Sequence, residues 1–346
     1  SVTLAERGDT APIPRHPSFR LFACMNPATD AGKRDLPPSI RRRFTELWVE
    51  EADTRKDDLL QIVEALLGPA IAHRDGTAKT RVVDLYLALK AAVERGDLVD
   101  GSRRRPLFNL RTLTRPVRFG VRAAAIYGID RALYEGFAMA FLTLLDGPSA
   151  GKAAAIVEAH LGAVKPIPKS LQPSHWTTAP AIVFDGYVLE TGPQFDARQP
   201  LEAALTALES SYVLTPSVRR TVDSVARAVM AGAHPTLLEG PTSSGKTSAV
   251  EFLARLCGHP FRRINNHEHT DVQEYVGSYV VGDDGSLVFR DGILVDALRR
   301  GHWLVLDELN LAPSDVLEAL NRLLDDNREL WVPELGETVR PHPHFR

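Results

Sequence analysis

The stretch Gly240-Pro241-Thr242-Ser243-Ser244-Gly245-Lys246-Thr247 constrains the fold more than any other part of the chain. It fits G-x-x-x-x-G-K-[ST] at every fixed position. It follows the apolar run Leu237-Leu238 and opens a helical pattern, Val250, Leu253 and Leu256, that stops at Gly258. A glycine-rich turn between a strand and a helix lets main-chain N–H groups converge at a helix N-terminus, where the dipole favours anions. Lys246 is placed to pair with the β- and γ-phosphates of a nucleotide, and the Thr247 hydroxyl to ligate Mg²⁺. Short apolar strands alternate with helices from Pro235 onward, so the spacing predicts a parallel α/β sheet.

A second signal is His302-Trp303-Leu304-Val305-Leu306-Asp307-Glu308, an apolar strand that ends in two carboxylates. Neither acid suits the end of a buried strand without charged company. Asp307 is placed to hold Mg²⁺ and its water shell, and Glu308 to orient and deprotonate an attacking water. The adjacent pair points to hydrolysis of ATP rather than transfer to a small acceptor. Between the two motifs, Tyr279-Val280-Val281 and Leu287-Val288-Phe289 flank Gly282-Asp283-Asp284-Gly285, which predicts a β-hairpin. Nucleotide binding does not need this excursion. It is a candidate moving or substrate-facing element, or packing alone.

The composition narrows the class. A chain of 346 residues with 44% hydrophobic and 25% charged residues is long enough for roughly two domains and matches ordinary globular proteins. Its apolar run Phe137 to Leu145 is far short of the roughly 20 residues of a membrane helix, so no membrane partner is expected. The start, Ser1-Val2-Thr3-Leu4, carries no signal-peptide pattern and reads as an excerpt. Two cysteines, Cys24 and Cys257, make no disulfide framework and fit a reducing compartment. Cys24 is expected to pack in a core. A formal net charge of −3 argues against direct nucleic-acid contact, and Arg103-Arg104-Arg105 reads as a solvated loop. His267-Glu268-His269 lacks the spacing of a zinc helix and reads as a hydrogen-bonded loop.

Along the chain, Leu21 to Met25 has strand length, and Arg41 to Glu50 follows a Pro37-Pro38 break. From about Thr54 to Leu161 the apolar spacing is helical throughout. Residues 164–180 are rich in Pro, Ser and Thr and read as a connector. Ile182 to Phe184 and Tyr187 to Leu189 flank Asp185-Gly186 as a small hairpin. Leu317, Leu320, Leu323 and Leu324 form a stripe expected to be core. The two ends echo each other. Glu6-Arg7-Gly8-Asp9-Thr10 followed by His16-Pro17-Ser18-Phe19-Arg20 recurs as Glu334-Leu335-Gly336-Glu337-Thr338 followed by His342-Pro343-His344-Phe345-Arg346. The chain reads as one period of a tandem array, cut out of phase, with a strand-turn-strand segment at both ends.

These residues resemble the AAA+ ATPases, in the branch with a hairpin inserted into helix 2 that includes dynein and MoxR-type proteins. The likeness is closest to the giant nuclear dynein-like ATPases of ribosome assembly. It rests on Arg263 to Asp271, on Trp303 to Asn310 with its continuation to Glu329, and on Phe19 to Asp30. The resemblance implies a P-loop NTPase of AAA+ type, a parallel sheet flanked by helices with an all-α lid, as two partial modules in tandem. Residues 1–50 would be the rear of a first α/β core and 51–163 its helical lid. Residues 164–211 would be a connector, and 212–346 the front of the next core. By the same likeness Asn26 is a sensor 1 residue, Arg43 an arginine finger with Arg41 as rival, and Arg111 the sensor 2 arginine.

In a single such module the lysine loop and the Asp-Glu strand come first. Here Asn26, Arg43 and Arg111 precede Lys246 and Asp307, which two half-modules explain. The resemblance implies ATP and Mg²⁺ as cofactors and hydrolysis to ADP and phosphate, with little turnover by the isolated segment. It implies as partners the neighbouring AAA+ modules of the same chain, and pre-60S ribosomal particles with their assembly factors, in the nucleolus and nucleoplasm. Two alternatives are a MoxR- or dynein-like chaperone and a structural ATP-binding module with little hydrolysis.

Overall fold

Helical spacing in the first half and strand-helix alternation in the second give two architectures in one chain. A computed structural model describes residues 14–25, 35–163, 166–168, 171–210, 212–232, 234–282, 285–325 and 327–346. It divides into two units, Ser1–Glu51 and Ala52–Arg346.

In the first unit, Pro37-Pro38 starts a single turn of helix, α1 (Pro38–Arg41). Leu21 to Met25 is not a strand. Its backbone is irregular, Phe22 is 87% exposed and Cys24 is exposed as well, which corrects the core reading of that cysteine. A strand needs a hydrogen-bonded neighbour, and no described residue pairs with this run. Asn26 and the first copy of the repeated strand-turn-strand, Glu6 to Thr10, lie outside the described residues.

The second unit opens with five α-helices: α2 (Lys56–Arg74), α3 (Ala78–Glu94), α4 (Leu110–Tyr127), α5 (Ile129–Phe137) and α6 (Gly147–Leu161). Gly68, at φ 72°, breaks α2 ahead of Pro69, because a residue before proline is pushed out of the helical region. Asn109 and Thr112 form a reciprocal capping box that starts α4, and the Asp146 carboxylate accepts the Ser149 N–H to start α6. A π-turn at Ala138–Leu142 extends α5 and turns Phe141 onto Phe137 and Phe108, with ring centroids 5.2 and 4.6 Å away. Leu59, Val63, Val82, Tyr86, Leu113 and Leu133 close the core of the block. Helices α4 and α5 approach closely because Gly136 has no side chain. A Cβ there would lie 2.4 Å from the Pro116 carbonyl oxygen.

The hairpin after the connector is present as β1 (Ala181–Phe184) and β2 (Tyr187–Glu190), with Phe184 opposite Tyr187. Asp185 and Gly186, at φ 46° and 91°, make the tight turn that suits right-twisted strands. Helices α7 (Leu201–Glu209) and α8 (Pro216–Ala231) follow, the latter capped by Thr215. Phe119 and Tyr127 of α4, the β1–β2 hairpin, α8 and the helix that follows Gly245 share one apolar cluster. Glu135 of α5 is buried beside this cluster, 0% exposed. Its carboxylate accepts from Arg227 Nε at 2.6 Å, from the Tyr187 hydroxyl at 3.0 Å and from Arg131. A buried charge is tolerable only with such complete pairing. The helical block and the second half are therefore joined by a common core and a common ionic pin.

The second half contains α9 (Lys246–Leu256), β3 (Phe261–Asn265), α10 (Val272–Val276), β4 (Gly277–Val281), β5 (Leu287–Asp291) and α11 (Ile293–Arg300). After these come β6 (Trp303–Asp307), α12 (Ser314–Leu324), β7 (Leu330–Val332) and β8 (Glu337–Val339). Strands β3 and β6 are parallel and in register from Phe261 opposite Trp303 to Asn265 opposite Asp307. Strands β4 and β5 form the expected antiparallel hairpin, and β7 and β8 form the strand-turn-strand at Glu334 to Thr338. Among the described residues the parallel sheet has only these two strands. Leu237-Leu238 is not a strand, and Leu237 is 79% exposed. An apolar run without a neighbour to pair with leaves its main chain to water. In the α12 stripe, Leu320 and Leu323 are core, whereas Leu317 and Leu324 are exposed.

Candidate nucleotide site

The loop from Gly240 to Thr247 is exposed along its first half and closes into α9 through Gly245, which caps the helix at φ 80°. Ser243 also takes a left-handed conformation, φ 63°, so the chain reverses tightly. The Lys246 ammonium donates to the carbonyls of Gly240 and Pro241, at 2.9 and 2.8 Å. These two bonds fold the Lys246 side chain back onto the start of its own loop. The Thr247 hydroxyl donates to Asp307 Oδ2 at 3.0 Å. Parallel pairing of β3 with β6 carries Asp307 to the strand end beside the first turn of α9.

The end of β6 is tightly held. Asn266 donates to the Asp307 carbonyl twice, from its main-chain N–H at 3.0 Å and from Nδ2 at 2.8 Å. The Tyr275 hydroxyl donates to Asn266 Oδ1 at 2.5 Å, and both residues are buried. Glu308, at φ 49°, turns out of the strand line, is exposed, and gives its N–H to Asp307 Oδ1 at 3.1 Å. Arg263 of β3 is ion-paired to Asp307 Oδ2 at 2.5 Å. Tyr212 lies beside Gly245 and stacks obliquely on Phe252, with centroids 5.3 Å apart, and burial pushes its hydroxyl pKa upward. The Ser102 hydroxyl reaches Glu239, directly before Gly240, at 2.7 Å, and Arg104 approaches the same carboxylate at 3.5 Å. The arginine run read as a solvated loop thus has one member at the flank of the phosphate loop.

The structure therefore brings together Gly240, Pro241, Thr242, Ser243, Ser244, Gly245, Lys246, Thr247, Asp307 and Glu308. It does not bring Arg111 there. That side chain is exposed in the first turn of α4 and makes none of the described contacts with the loop or with Asp307. Arg43, exposed, and Arg41, paired with Asp35 and Glu46, lie in the other unit. His267 Nδ1 accepts the His269 N–H at 3.2 Å, and the His267 N–H donates to Thr270 Oγ1 at 2.8 Å. Among the described residues no cluster of His, Cys, Asp and Glu could hold a metal alone. Tyr212 and Glu239 carry no signal in the sequence, whereas Arg263 and Asn266 lie in the stretch that carries the family likeness without being read there as site residues.

Comparison with known proteins addresses the same segments. A family model described as the midasin AAA lid domain matches residues 58–164, and one for the AAA domain of the dynein-related subfamily matches residues 235–346. Residues 58–164 and 235–346 thus match a midasin-type AAA lid and a dynein-related AAA domain. Midasin of Dictyostelium discoideum is 45% identical over 357 aligned residues, covering 100% of this chain and 6% of that protein. Midasin of Giardia intestinalis is 41% identical, covering 99% of this chain and 7% of that protein. The denitrification regulatory protein NirQ of Pseudomonas aeruginosa is 37% identical over 111 residues, 32% of this chain and 42% of its own length. The chain thus spans a small part of the midasins it matches. The lid match precedes the AAA match along the chain, and the fold is an AAA+ α/β core with a helical lid.

The residues of this midasin-like segment fit a magnesium nucleotide. A Cβ on Gly240 would press to 3.3 Å from Ser244 Oγ and narrow the loop. The loop offers main-chain N–H groups, one ammonium and a hydroxyl-carboxylate pair already within a hydrogen bond of each other. A hard cation seeks such oxygen donors next to phosphate.

Proposed function

We propose that Gly240 to Thr247 and Asp307 bind Mg·ATP and that Glu308 activates water to hydrolyse it to ADP and phosphate. On this reading the chain is part of a midasin-type mechanoenzyme that releases assembly factors from pre-60S ribosomal particles in the nucleus. The carrying observation is the 3.0 Å bond between Thr247 and Asp307, which puts both metal-directed oxygens at one point. Main-chain N–H groups at the start of α9 would hold the phosphates, and Lys246 would leave its two carbonyls to pair with them. Bound Mg²⁺ would neutralise charge on the β- and γ-phosphate oxygens. Glu308, exposed and turned out of β6, would orient a water and take its proton.

The likeness supplies the wider reading. Asn26, Arg43 and Arg111 precede the phosphate loop in sequence, so they would serve a different module from Lys246, and neighbouring modules would complete this site. The ribosomal role is what the family resemblance implies, and similarity to midasin along the whole chain supports that resemblance. The test is Glu308→Gln in the full-length protein, with ATP turnover, bound nucleotide and assembly-factor release measured together. The reading expects ATP retained at this site, lower turnover and assembly factors held on pre-60S particles. Unchanged turnover and release would reject it.

A further inference from the structure

Arg263 is not one of the expected nucleotide ligands, yet it sits on the metal-directed carboxylate. In the β3–β6 register Arg263 faces Val305 and Asn265 faces Asp307, so Arg263 reaches one step diagonally along the pair. Its guanidinium lies 2.5 Å from Asp307 Oδ2, the same oxygen that accepts the Thr247 hydroxyl at 3.0 Å. The other oxygen, Oδ1, accepts the Glu308 N–H. The Asp307 side chain is 14% exposed and held in place, whereas that of Arg263 is 51% exposed on a flexible stem. Among the described residues Arg263 has no second acidic partner within salt-bridge distance.

We propose that Arg263 is a displaceable counter-ion of the site. It neutralises Asp307 at the edge turned toward Thr247. It swings into solvent when Mg²⁺ arrives with nucleotide, because a monovalent and a divalent cation on one carboxylate oxygen repel each other. Arg263 thereby raises the Mg²⁺ concentration at which the site loads. This inference rests on the magnesium-nucleotide reading and adds a regulator to it.

The test follows acylation of Lys246 by an acyl phosphate of ATP in the full-length protein, read on the Lys246 peptide by mass spectrometry over a Mg²⁺ titration. Arg263→Ala and Arg263→Gln are expected to move the Mg²⁺ midpoint about fivefold lower, the scale of one half-exposed ion pair. Arg263→Lys keeps the charge and should stay near the parent. Arg262→Ala, altering the opposite face of β3, should leave the midpoint unmoved. Normal Mg²⁺-dependent labelling of the parent with an unmoved or higher midpoint in both neutral variants would overturn the inference alone. A parent that shows no Mg²⁺-dependent labelling would remove the magnesium-nucleotide reading and this inference with it.

Discussion

Glu135 carries the largest single-residue consequence. Its carboxylate is fully buried and satisfies Arg227, itself 13% exposed by side chain, together with Arg131 and Tyr187. Removing one partner of a buried pair strands the other. Glu135→Ala should therefore lower unfolding stability by about 3–5 kcal/mol, measured by urea denaturation, and a loss below about 1 kcal/mol would contradict the pairing. Two other groups set opposing responses to acid. Burial, then the like charge of Asp185, pushes the Asp223 carboxyl up to about 6, so its contribution favours folding below the ordinary carboxylate range and fades as pH rises through 6. Burial pushes His259 down to about 4, so its contribution is present above pH 6.5 and is lost as pH falls toward 4. The two act in opposite directions between pH 4 and 6. Asp223→Asn should unmask the histidine: the variant is expected to lose stability more steeply than the parent on acidification across that window. Parallel melting-temperature curves for variant and parent would refute this.

At the scale of elements, close approach decides more than propensity. Alanine is a better helix former than glycine by about 1 kcal/mol, yet Gly136→Ala should destabilise by about 1–3 kcal/mol. The new Cβ would lie 2.4 Å from the Pro116 carbonyl, a backbone atom that cannot rotate aside as a side chain can. A chemical-denaturation midpoint equal to or above the parent's would contradict the packing of α4 on α5. The same contrast explains which elements were legible. Asp185-Gly186 and the Gly282 to Gly285 turn announce their hairpins because turn geometry is local chemistry. The helices of residues 56–161 announce themselves through long apolar periods. Leu21 to Met25 and Leu237-Leu238 read as strands by composition, but a strand is completed only by its partner, and among the described residues neither has one. The close approach of Gly136 to Pro116 depends on tertiary distance and leaves no mark in either local sequence.

Across the whole molecule, the loop Gly240 to Thr247 and the Asp307-Glu308 pair were legible as a candidate site because a nucleotide with its metal would demand those residue types. The residues that hold them in place were not, because Asn266, Arg263 and Glu239 gain their parts only from register and packing. Ser102 and Arg104 of the helical block touch Glu239, and Phe119, Tyr127 and Glu135 join that block to α8 and the connector hairpin within Ala52–Arg346. The lid-like block and the α/β half that follows it are thus one folded unit, within which the lid match precedes the AAA match. The proposed nucleotide site depends on one meeting point, Thr247 with Asp307. A cryo-electron-microscopy map of the full-length protein with Mg²⁺ and a non-hydrolysable ATP analogue tests it most directly. The account predicts the phosphates along Gly240 to Lys246 and an ion about 2.1 Å from Thr247 Oγ1 with the Asp307 carboxylate beside it. A nucleotide bound elsewhere, or an ion held without either residue, would contradict it.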